Sequence, residues 1–189
     1  MGVVAAILGA LFPPRTEPIA GVPVGRVARV RGTVVPRDVL TSPLTGEPCV
    51  YYNYSVEQWR RSQLAGLPEG LWDLAEHDEA IAEFYLHDAT GRAIVAPERV
   101  RIQRCRGVQP ARIDLGSLER RATELLIRPG DTVEVIALAD QIDDLYDDAR
   151  DYRARARILL LRAPDGGESI IRLVAAAPAP VSESVGTAP

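Results

Sequence analysis

Along most of the chain hydrophobic and polar residues alternate with a period of two. Between residues 24 and 35, Ala28, Val30, Gly32 and Val34 fall on one side and Arg29, Arg31 and Thr33 on the other, as in a strand with one buried face. Gly32 marks a bulge or a close approach of another backbone. Residues 49–59 predict a second strand, rich in aromatic and β-branched residues, with Val50, Tyr52, Tyr54 and Val56 sharing a face. Residues 83–87 and 92–96 flank Asp88-Ala89-Thr90-Gly91 and read as a hairpin. Strands are also expected at 100–105, 132–138, 156–162 and 169–174. Turns at Pro129-Gly130-Asp131 and Pro164-Asp165-Gly166-Gly167 punctuate them, since Pro presets φ and Gly tolerates positive φ. About seven or eight short strands of this kind predict a mainly β fold, a small OB- or SH3-like barrel or sandwich.

Three stretches suggest helical insertions into that β framework. From Ser117, a cap, to Ile127, the residues Leu118, Ala122, Leu125 and Leu126 form a helical stripe that Pro129 would stop. Residues 141–155 carry Ile142, Leu145, Tyr146, Ala149 and Tyr152 at helical spacing, opposite an acidic face that includes Asp140, Asp143 and Asp144. Residues 69–79 suit a third helix or a covering loop. The organisation expected is an apolar N-terminal segment and linker over 1–20, one β domain over 21–175, and a disordered Ala/Pro-rich tail over 176–189. The apolar run 2–12 would make a helix of about 16 Å, short of the ~30 Å hydrocarbon core. With no basic residue before it and no small-x-small site after it, it makes a poor signal peptide. It suits a segment docked on the body, or a shallow anchor to a membrane surface or partner.

Composition narrows the chemistry. The chain has 189 residues, 47% hydrophobic and 25% charged, with a net charge of −4. That balance fits a globular domain and gives no overall attraction to nucleic acid or anionic lipid. All 22 basic residues are arginine, which excludes phosphate-loop, Schiff-base and kinase lysines. Two cysteines, Cys49 and Cys105, and two histidines, His77 and His87, are too few for a thiolate zinc site. Cys49 in an apolar strand reads as a buried free thiol.

The most informative stretch runs from Val30-Arg31-Gly32-Thr33-Val34 to Ser42-Pro43-Leu44-Thr45-Gly46-Glu47-Pro48-Cys49-Val50-Tyr51-Tyr52. Pro43 and Pro48 stiffen the loop and Gly46 gives it permissive geometry; a stiff loop loses less entropy when a partner docks. With Asp88 and Gly91, and then Pro129, Gly130, Asp131, Val133 and Val135, this order and spacing resembles the GIDE-type domain across roughly residues 24–175. That domain occurs in the Mulan family of membrane-anchored RING ubiquitin ligases and in bacterial relatives without a RING. The resemblance implies a non-enzymatic recognition or scaffold module beside a membrane. This chain has neither a second apolar segment of ~20 residues nor the cysteines of a RING, so ubiquitin transfer does not carry over.

The expected contact surface is therefore Arg31, Ser42, Pro43, Leu44, Thr45, Gly46, Glu47 and Pro48 with Asp88 and Gly91. The expected partner is a protein, with no cofactor or metal. The expected location is the cytoplasm, with peripheral membrane contact through residues 2–12. Two other classes compete. A hydrolytic or metal-dependent centre would gather Cys49, His77 and His87, with Glu76-His77-Asp78-Glu79 as nearby ligands; it lacks the spacing that sets two histidines on one helical face. A single-strand nucleic-acid barrel would use Arg29, Arg31, Arg99, Arg101 and Arg104 beside Tyr51, Tyr52, Tyr54 and Trp59, against the negative net charge.

Overall fold

The computed structural model describes residues 15–61, 70–103, 110–117, 119–144 and 157–177. In chain order the strands are β1 (Thr16–Glu17), β2 (Val27–Pro36), β3 (Leu40–Thr41), β4 (Pro48–Cys49), β5 (Tyr51–Arg61), β6 (Gly70–Ile81), β7 (Phe84–His87), β8 (Arg92–Val95), β9 (Val100–Gln103), β10 (Ala111–Ile113), β11 (Arg120–Ile127), β12 (Thr132–Asp143), β13 (Arg157–Arg162) and β14 (Ser169–Ala175). A single 3-10 turn, Ile19–Gly21, precedes β2. Among the described residues there is no α-helix, and no helix long and apolar enough to cross a membrane.

Five strands close a barrel. β2 pairs antiparallel with β12 from Val27↔Leu138 to Thr33↔Thr132, then with β7 from Thr33↔His87 to Pro36↔Phe84. The chain turns from β7 into β8, β8 lies parallel to β13, and β13 runs antiparallel to β12. Within the ring the order is first, second, third, fifth, fourth, with the third and fifth strands parallel. This is the connectivity of an OB-like barrel, and closure leaves the ring itself without an open edge. Gly32 sits where β2 passes from one neighbour to the other; a Cβ there would lie 2.4 Å from the His87 carbonyl oxygen. Of the two readings of this glycine, close backbone approach is the one observed.

Two long excursions leave the barrel, β3–β6 between β2 and β7, and β9–β11 between β8 and β12. They meet: β11 pairs antiparallel with β5 from Arg120↔Gln58 to Ile127↔Tyr51, giving a second sheet in the order β10-β11-β5-β6. The last strands form no hairpin with each other. β13 and β14 lie in succession along one edge of β12, and residues 163–168 loop out between them. β9 then pairs parallel with β14. One main core joins barrel and second sheet, since Val30, Val34, Phe84, Leu86 and Leu161 pack in one cluster with Val50, Tyr51, Leu125 and Ile127. A smaller cluster of Tyr54, Val56 and Ala122 lies on the second sheet, flanked by Leu44, Tyr52, Ile113 and Leu115.

The mainly β barrel agrees with the sequence; the helical insertions do not, where they can be compared. Residues 120–127 form β11, because pairing along β5 overrides their helical spacing, and Ser117 Oγ accepts the Glu119 N–H at 3.2 Å ahead of a strand rather than a helix. Residues 70–81 form β6, paired with β5 from Gly70↔Arg61 to Ile81↔Tyr51. The expected helix 141–155 begins instead with the end of β12 up to Asp143, and residues 145–156 lie outside the described residues. So do the apolar run 2–12, Cys105 and most of the expected tail. The strand count also exceeds the seven or eight expected, because the excursions add strands of their own.

Candidate functional site

The loop singled out in the sequence is a tight hairpin held by its own side chains. β3 and β4 pair at Leu40↔Cys49 and Thr41↔Pro48. Between them the Ser42 N–H donates to the Glu47 carbonyl at 2.9 Å and the Gly46 N–H to the Ser42 carbonyl at 3.0 Å. Gly46 takes a φ of 71°, the left-handed region that glycine enters at little cost. The Ser42 hydroxyl, buried, donates to Glu124 Oε1 at 2.5 Å and accepts the Thr45 N–H at 3.1 Å. The Thr45 hydroxyl donates to Glu124 Oε2 at 3.0 Å. One buried carboxylate from β11 thus fixes both ends of the turn.

Charge and packing complete the brace. Glu47 pairs with Arg128 at 2.5 Å, and the hydrogen bond from that guanidinium holds the Glu47 carboxyl below its ordinary value. Leu44 leans on the Tyr54, Val56 and Ala122 cluster. Pro43, Thr45, Gly46 and Pro48 are exposed. Cys49 behind the loop is a buried free thiol. Burial, reinforced by the Glu124 charge, pushes it up to about 11, so it stays protonated and unreactive at neutral pH.

The remaining expected contact residues lie elsewhere. Asp88 Oδ1 accepts the Thr90 and Gly91 N–H groups at 2.6 and 2.9 Å, and Asp88 Oδ2 accepts the Ile19 N–H at 2.7 Å. Burial alone would raise this carboxyl, but the hydrogen bonds from Thr90, Ile19 and Gly91 together hold it below its ordinary value. The turn therefore moors the 3-10 segment, whose Ile19 enters the core. It lies at the His87 end of β7, while the chain leaves for the loop beside Phe84. The length of β7, about 10 Å, separates these two ends. Arg31 lies on the exposed side of β2, opposite Glu134 in register. The loop is a built unit; Arg31 and the Asp88–Gly91 turn are not part of it.

His77, His87 and Cys49 are dispersed. His77 pairs with Ser55 in the second sheet and its Nδ1 lies 2.8 Å from the Tyr54 carbonyl oxygen. His87 lies on the barrel against the Tyr85 ring, and Cys49 pairs with Leu40. Among the described residues no three His, Cys, Asp or Glu side chains are grouped to hold a metal ion. Strand alternation explains this for residues 76–79, whose carboxylates point to both faces of β6. Each instead accepts a tyrosine hydroxyl: Glu76 from Tyr54 at 2.6 Å, Asp78 from Tyr52 at 2.9 Å and Glu79 from Tyr51 at 2.9 Å. The hydrogen bond to Glu76 pushes the Tyr54 phenol up to about 12. The arginines proposed for nucleic acid are partly committed, Arg29 to Glu134 at 2.7 Å and Arg101 to Glu168 at 2.6 Å; Arg104 lies outside the described residues.

Glu124 and Arg128, the two residues that brace the loop, carry no mark of that role in the residues around them. Glu124 was hidden inside a segment with helical spacing; the signal that would have found it is the turn Pro129-Gly130-Asp131, which ends a strand as readily as a helix. Comparison with family models, with curated proteins and with solved structures found no match.

Proposed function

We propose that the chain is a non-enzymatic recognition or scaffold module, GIDE-like and without ubiquitin transfer of its own, that presents the 42–48 hairpin to a protein partner. The observation that carries this reading is the brace on Glu124. Ser42, Thr45 and Glu47 spend their polar groups on holding the hairpin, leaving Pro43, Gly46 and Pro48 exposed on a preformed surface. Such a loop binds with little ordering cost. The test is capture from a bacterial lysate by wild type and by Pro43→Ala/Pro48→Ala, with thermal unfolding to check the fold. Loss of a captured protein from the variant supports the reading; an identical captured set with an intact fold overturns it. Peripheral membrane contact belongs to the same reading and rests on the apolar run 2–12. Liposome co-sedimentation of the full chain should exceed that of a chain starting at Arg15, and equal sedimentation removes the anchor.

One observation favours a second reading, single-strand nucleic acid on the barrel. On the outer side of its second and third ring strands, the Arg92 guanidinium lies 5.6 Å from the Tyr85 ring centre and Tyr85 meets His87 edge-on at 6.1 Å. OB barrels use this face for oligonucleotides, and stacked rings suit unpaired bases. Binding of an oligonucleotide that weakens steeply with salt and is lost in Tyr85→Ala would establish this reading over the first.

A further inference from the structure

We propose that the outer edge of β6 is a strand-addition site for an extended segment of another protein carrying arginine or lysine at alternate positions. β6 ends the second sheet: one side pairs with β5, and among the described residues no strand pairs with the other. An edge of twelve residues presents alternate N–H and C=O groups as a template for a further strand. The register with β5 shifts between Val56↔Glu76 and Glu57↔Leu74, leaving Ala75 as a bulge. The regular stretch 76–81 beyond it is the platform.

Charge selects the occupant. β6 carries Asp73, Glu76, Asp78 and Glu79 and contains no arginine or lysine. Asp73 has Arg60 at 3.4 Å. The other three accept hydroxyls from Tyr54, Tyr52 and Tyr51 on β5, neutral donors that bring no opposing charge to them. All three are exposed. Alternation sets Glu76 and Asp78 on one face, so a neighbouring strand with cations at positions i and i+2 meets both together. A second copy would set acid against acid, which is unfavourable across paired strands; the same charges that ward off self-pairing attract a basic strand. The surface is independent of the 42–48 hairpin, and each can fail without the other.

The test uses the full chain and a synthetic twelve-residue peptide alternating arginine and valine, followed by fluorescence anisotropy at about 0.1 M salt, where surface charges are screened beyond ~10 Å. The peptide should bind. Methylation of alternate backbone amides should weaken it about tenfold or more. Glu76→Gln/Asp78→Asn, which keeps acceptors for both tyrosines and hence the fold, should do the same to the unmethylated peptide. Equal binding of the methylated peptide, equal binding of a glutamate–valine peptide, no effect of the double substitution, or no binding at all would overturn the proposal. So would sedimentation showing that a second copy of the chain occupies the edge and excludes the peptide.

Discussion

At the scale of single residues, the Glu124 carboxylate decides the shape of the 42–48 hairpin. Ser42→Ala removes the donor to its Oε1 and leaves a buried charge short of one hydrogen bond, which costs about 1–3 kcal/mol. Urea denaturation should show this loss, and amide exchange at Gly46 should accelerate with it. The Cys49 thiol is a second residue-scale probe. In a Cys105→Ser background it should resist alkylation at pH 8 while folded and react promptly in denaturant. Its folded value of about 11 lies above the ordinary 9.0. Its contribution to stability is therefore intact below pH 9 and lost as pH rises from 9 toward 11. Unfolding midpoints of the same protein with and without Cys49→Ala should converge over that window. The hairpin was visible in the sequence through its prolines and glycine, whereas the carboxylate that holds it was not. A brace from a residue some eighty positions away leaves no local mark.

At the scale of elements, β2 is legible because one of its faces is buried and the other is wet, so its letters alternate. β11 is not. Leu125, Leu126 and Ile127 are all buried, on both faces, and a strand covered on both faces loses its period and mimics a helix. β6 misleads differently: its Ala, Glu and Leu residues favour helix, and only pairing with the tyrosine-rich β5 makes it a strand. The point where β2 changes partner leaves no room for a side chain. Gly32→Ala sets a methyl group against the His87 carbonyl and Leu86. It should destabilise the protein by about 1–3 kcal/mol or more, read as a lowered denaturation midpoint.

At the scale of the whole molecule, the second sheet is not a separable unit. It is assembled from two excursions of one barrel and shares the main core. Both tryptophans, Trp59 and Trp72, sit in it as an edge-on pair 5.4 Å apart. Their fluorescence therefore reports the second sheet alone, while far-ultraviolet circular dichroism reports all the strands. The two denaturation curves should coincide, and Gly32→Ala in the barrel should shift both equally; separated transitions would mean two independent folding units.

The parallel pairing of β8 with β13 has a consequence for how the chain is made. A ribosome delivers residues in order, so strands one to four of the ring emerge before Arg157–Arg162 can seal them. Until that late segment arrives, β8 carries an unpaired flank, open to pairing with the wrong chain. Newly made copies are thus most vulnerable to clumping in the interval between the emergence of Arg92–Val95 and that of Arg157–Arg162, and a truncation anywhere upstream of residue 157 would prolong that interval indefinitely.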